Sequence, residues 1–108
     1  MTVERFASEL GFSVLCMPCP DRSVRGAYVG DLLSWVMGRA GADNVWITIM
    51  SNVNVAAVAT LADVSCVLLA EGVTLESEVL ATAESKGVNV LSTSLSAFDA
   101  AKAISSLV

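Results

Sequence analysis

The sequence predicts one α/β domain of three layers, a mainly parallel sheet of four to five strands flanked by helices. Three observations predict it. Short, continuously apolar runs alternate with segments of helical length along the chain, the pattern of βαβ crossovers and a parallel sheet. The runs do not alternate polar and apolar residues, as expected of strands covered on both faces. The last three runs end at an even spacing, at about Ile49, Ala70 and Leu91, which is the rhythm of successive βα units. A chain of 108 residues fits a single domain, 1–108.

The elements follow in order. Thr2 can cap a helix reaching about Leu10, with Gly11 as its stop. Phe12 to Met17 reads as a strand, and Pro18 to Arg22 as a loop, because closely spaced prolines cannot continue a ladder. Arg25 to Val29 is a short second strand. Gly30-Asp31 opens a helix over Leu32–Met37, closed by Gly38. Val45–Ile49 is a strand, and Val53–Asp63 an Ala- and Val-rich helix starting at Asn52 or Asn54. Cys66–Ala70 is a strand. Thr74 caps a helix to about Lys86, with Glu76 and Glu78 near its positive end and Gly87 after its last turn. Val88–Leu91 is the last strand. Ser94 or Ser96 caps a final helix in which Leu95, Phe98, Ala101, Ile104 and Leu107 recur along one face. Ser96 and Asp99 have capping-box spacing.

Composition narrows the function classes. Apolar residues make up 55% and charged residues 16%, more hydrophobic surface than one small domain hides alone. A homodimer is the simplest solution. The net charge is -5 and no basic run occurs, so a nucleic-acid-binding role is excluded for want of a positive face. The long uncharged stretch between Asp43 and Asp63 is broken by Thr48, Ser51, Asn52, Asn54 and Thr60, which argues against a membrane span. The amphipathic, acid-bearing N-terminus does not read as a signal peptide, so the expected location is cytoplasmic.

In an open parallel sheet, ligands bind beyond the carboxyl ends of the strands. Here those ends carry Gly30-Asp31, Ser51-Asn52, Glu71-Gly72 and Ser92-Thr93-Ser94, the candidate ligand-binding residues. Helix N-termini reach the same edge and offer free N–H groups to an anion such as a nucleotide. The competing reading is ordinary helix caps and turns, which use the same residue types. Glu71 is not needed as a cap; its carboxylate suits a ribose hydroxyl or a cation.

Catalytic signatures are absent. There is no His, no Gly-x-Ser-x-Gly elbow and no Gly-x-x-x-x-Gly-Lys phosphate loop, so no catalytic residue is assigned and no cofactor is expected beyond an unknown small ligand. Cys16-Met-Pro-Cys19 is a C-x-x-C motif at a strand end. Cys16 and Cys19 are the candidate metal or redox residues, two such pairs in a dimer supplying four thiolates. The structural alternative is a core Cys16 and a loop Cys19. Trp46 reads as core, whereas Trp35 lies on a helix apolar on nearly every side and suggests a subunit interface.

The runs Gly26–Gly38, Asn44–Ile49, Ala70-Glu71-Gly72 and Leu91–Phe98 resemble the stand-alone DRTGG-domain proteins, and the resemblance covers the chain from Asp21 onward. It implies an α/β domain, usually dimeric, with a regulatory or ligand-sensing role and a fold similar to the N-terminal domain of HPr kinase. Related domains sit beside CBS modules in nucleotide-regulated pyrophosphatases, where the CBS modules bind the nucleotide, and within some phosphotransacetylases. Some stand-alone members occur near iron hydrogenase genes. The naming motif is partial, Asp21-Arg22-Ser23 followed by Val24-Arg25-Gly26. Relatives carry Gln and His in the turn after the Thr48 strand, where this chain has Met50 and Asn52. The leading expectation is therefore a non-catalytic regulatory domain binding a small ligand as a homodimer. The alternatives are a protein-interaction or scaffold module for an iron hydrogenase-associated redox system, and a cysteine-based metal or redox site.

Overall fold

A computed structural model describes residues 1–108. Its helices are α1 (Val3–Leu10), α2 (Leu33–Arg39), α3 (Val55–Ala62), α4 (Ser77–Ser85) and α5 (Ala97–Ile104). Its strands are β1 (Ser13–Cys16), β2 (Ala27–Val29), β3 (Val45–Thr48), β4 (Cys66–Leu69) and β5 (Val90–Ser92). They form one sheet in the order β1-β5-β4-β3-β2. The β2–β3, β3–β4 and β4–β5 pairs are parallel, and β1 joins β5 antiparallel.

The covered strands of β3 and β4 are buried at every position, and their alternate side chains build two cores. Trp46, Val67, Leu69 and Val90 point to the side packed by Val36 of α2, by α3, and by Val79 and Ala83 of α4. Val45, Ile47, Cys66, Leu68 and Leu91 point to the other side, against Val3, Phe6 and Ala7 of α1 and Ala100 and Ile104 of α5. The three layers are thus α2, α3 and α4, the sheet, then α1 and α5. Continuous apolar strands and a two-sided core are the same fact seen in sequence and in space.

Capping follows the sequence in places and departs in others. Thr2 and Ser96 cap α1 and α5 by accepting from the N–H groups of Arg5 and Asp99. Gly11 ends α1 in the left-handed region. Thr74 does not cap α4: Leu75 is drawn into the core, the chain stays extended, and the helix starts after Glu76. Asp31 does not cap α2, which begins after Leu32 and runs through Gly38 to Arg39. No helix is long and apolar enough to cross a membrane.

Candidate functional site at the carboxyl edge of the sheet

The parallel pairing of β2 to β5 puts their carboxyl ends on one edge. The connections leaving β2, β3 and β4 all pass to the face holding α2, α3 and α4. The chain leaving β5 turns to the opposite face, into α5. Neighbouring strands β4 and β5 therefore send their connections apart, and that divergence is the place where an open α/β sheet forms its crevice.

Here backbone hydrogen bonds join the two connections across that divergence. Thr93 N–H donates to the Leu69 carbonyl (2.9 Å), Gly72 N–H to Thr93 (2.9 Å) and Glu71 N–H to Leu95 (2.8 Å). The Thr93 hydroxyl accepts from Leu95 N–H. The ladder is made possible by two successive left-handed residues, Glu71 (φ 59°) and Gly72 (φ 71°). Gly adopts that backbone without strain, whereas a side chain at Glu71 costs about 1 kcal/mol or more. Glu71 is exposed at the lip of this turn, as is Ser94.

The nine candidate residues divide. Glu71, Gly72, Ser92, Thr93 and Ser94 gather at the β4–β5 divergence. Gly30, Asp31, Ser51 and Asn52 lie at the ends of β2 and β3, and three of them are occupied structurally. One Asp31 carboxylate oxygen accepts from the Thr48 hydroxyl (2.8 Å) and from Ile49 N–H (3.0 Å), tying the α2 entry to the end of β3. The Gly30 carbonyl accepts from the Trp46 indole, and a Cβ at Gly30 would meet the Tyr28 ring at 2.8 Å. The Asn52 carbonyl oxygen accepts from Asn54 N–H, an Asx turn leading into α3. Ser51 is exposed.

Between these polar groups the edge exposes apolar side chains that sequence reasoning missed: Leu32, Ile49, Val53 (70%), Leu95 and Phe98 (75%). Phe98 belongs to the apolar stripe that the sequence shows along the last helix. The buried stripe instead runs through Ala100 and Ile104, which turns Phe98 outward. The pair Ala100 and Ile104 at helical spacing is the signal that would have found it. No Lys or Arg falls in the segments leaving β2 to β5, while Asp31, Glu71 and Glu76 do.

The model of the DRTGG domain matches residues 22–107. The chain belongs to the DRTGG domain family. A search of curated proteins finds no match. Among solved structures this DRTGG domain is similar to the CBS and DRTGG domains of the regulatory region of Clostridium perfringens pyrophosphatase, complexed with its activator diadenosine tetraphosphate. The match has 14% identity and a TM-score of 0.76, over 95% of this chain and 45% of that one. This DRTGG domain thus spans less than half of that structure, and at such identity the likeness is one of fold.

The family's naming motif lies at the other edge. Arg22 donates through Nε to Asp43 (3.1 Å) and through Nη2 to the carbonyl and carboxylate of Asp63 (2.6 and 2.7 Å). Asp43 and Asp63 are both left-handed. Burial opposes the charge on Arg22, but Asp63 and Asp43 outweigh it and raise its pKa. The guanidinium is a clamp on two strained turns and stands apart from the ligand edge. Antiparallel β1 likewise carries Cys16 to this amino edge. All three cysteines are free thiols, and no cluster of three or more His, Cys, Asp or Glu side chains is arranged to hold a metal. A concavity of about 520 Å³ opens between α1 and β1, lined by Glu4, Ala7, Phe12, Val14 and Met17 among others. Its Phe12 and Val14 flank Ser13, which pairs with Ser92 at the carboxyl end of β5. Trp35 is not buried within the chain: it is 51% exposed, with the Arg39 guanidinium 3.7 Å from its ring centroid.

Proposed function

We propose that this DRTGG domain is a non-catalytic regulatory module that binds a small molecule at the β4–β5 divergence and works as a homodimer. The observation that carries the reading is Glu71. Its strained backbone serves no cap, its carboxylate is exposed, and it stands where the sheet topology favours a ligand. The similar DRTGG domain belongs to the regulatory region of a pyrophosphatase, which supports a regulatory role for this fold.

Charge refines the chemistry. The edge has carboxylates and no cation, so a free phosphate would meet repulsion from Asp31 and Glu71. Hydroxyl and amino donors suit Glu71, and the exposed Leu95 and Phe98 suit a base or other flat apolar group. The ligand that fits is a nucleoside, or a nucleotide held by its sugar and base. Calorimetric titration with adenosine, AMP, ATP and diadenosine tetraphosphate tests this. Adenosine binding at least as tightly as ATP, and lost in Glu71→Gly, supports it. Binding by none of them, or equal binding by the variant, overturns it.

The dimer surface is assigned to β2 and α2. β2 pairs only with β3, leaving its other edge open. Val29, Leu32 and Trp35 stand exposed along it, and open apolar strand edges are templates for pairing.

A further inference from the structure

The C-x-x-C segment is held with unusual definition. Asn89, buried to 1% exposure, accepts from Cys19 N–H (2.9 Å) and donates to the Cys19 carbonyl (2.8 Å) and the Ser65 carbonyl (3.0 Å). One buried amide therefore fixes the backbone of Cys19 on both sides. Cys16 sits where the β1–β5 register shifts, and its thiol donates to the Val88 carbonyl at 3.3 Å. The Cys19 sulfur lies 3.5 Å from where a Cβ of Gly87 would stand. Both sulfurs are thus seated on the consecutive residues Gly87 and Val88, at the end of α4. Both cysteines are partly exposed, whereas Cys66 is fully buried.

We propose that Cys16 and Cys19 are a reversible dithiol–disulfide pair that exchanges with low-molecular-weight disulfides. The Cys19 thiolate attacks the incoming disulfide, forming a mixed disulfide and expelling one small thiolate. The Cys16 thiolate then attacks the Cys19 sulfur, closes the internal bond and expels the second. Two protein thiols are oxidised, one external disulfide is reduced, and the two protons pass to the released thiolates. Burial, then the charge of Glu84, raises the Cys16 pKa, which makes Cys16 the resolving thiol. Closure removes the Cys16 S–H donor from Val88 and so alters the α4–β5 turn, at the edge opposite the ligand site.

The test equilibrates intact protein in graded ratios of reduced to oxidised glutathione, then alkylates free thiols and maps them by mass spectrometry. The expected result is the joint loss of the Cys16 and Cys19 thiols as one internal disulfide, with Cys66 alkylated only after unfolding. Cys16→Ser should trap a stable glutathione adduct on Cys19, whereas Cys19→Ser should form the adduct on Cys16 markedly more slowly. Wild-type protein that keeps both thiols across the series, or ends as a stable glutathione adduct, overturns the proposal.

Discussion

Asp43, Asp63 and Glu71 are the residues other than glycine with left-handed backbone, and Arg22 bonds to two of them. Arg22→Ala frees both turns and removes charged hydrogen bonds that are only partly screened, at a cost of about 1–2 kcal/mol. Arg22→Lys restores little, since an ammonium lacks the planar fork that reaches both carboxylates. Urea denaturation reads both. Glu71→Gly acts oppositely: it relieves strain and stabilises the fold by about 1 kcal/mol, while ligand binding is lost. Burial pushes the Cys66 thiol from 9.0 up to about 12. The unfolded chain releases this proton before the folded one does. Stability from this group is therefore full below pH 9.0 and declines as pH rises toward about 12, at no more than about 1.4 kcal/mol per pH unit. Wild type compared with Cys66→Ala across that range isolates the slope. At this scale the sequence showed residue types but not their partners. Asp31 and Asn52 read as ligand groups because the donors they serve, the Thr48 hydroxyl and the Ile49 and Asn54 N–H groups, are set by the turns themselves.

At the scale of elements, alternation and caps were legible because local chemistry decides them: Thr2, Ser96 and Gly11 do what their positions require. The start of α4 was not, because the burial of Leu75 overrides the cap offered by Thr74. The direction of β1 was not either, since an edge strand at the start of the chain can run either way. Its antiparallel course moves Cys16 and Cys19 away from the ligand edge. Trp35 on α2 was read as interface from its apolar helix, and its exposure with Leu32 and Val29 leaves it on the open β2 side. Trp35→Ala is expected to raise the dimer dissociation constant at least tenfold with little change in monomer stability, because its ring is half exposed, outside both buried core clusters, and hot spots are often aromatic. Sedimentation equilibrium at several concentrations checks this. An unchanged constant would move the dimer surface elsewhere.

For the whole molecule, topology does most to place the candidate residues. Three successive crossovers on one face and a final helix on the other create a single divergence, between β4 and β5. That arrangement brings Glu71 and Ser94 together although they are distant in sequence. It also separates them from Arg22 and the cysteines, so the proposed ligand site and the proposed thiol pair lie at opposite edges of one sheet. Several apolar rim residues, Val53 and Phe98 among them, escaped the sequence reading because periodicity marks an apolar stripe without saying which side meets the core. The central claim is that this DRTGG domain is a dimeric sensor whose ligand sits at Glu71. Native mass spectrometry of wild type and Glu71→Gly, each with adenosine and AMP, tests it most directly. The account predicts a homodimer that gains ligand mass in the wild type and remains a bare homodimer in the variant. A wild type that stays a bare monomer, or a variant that binds as well as wild type, would contradict it.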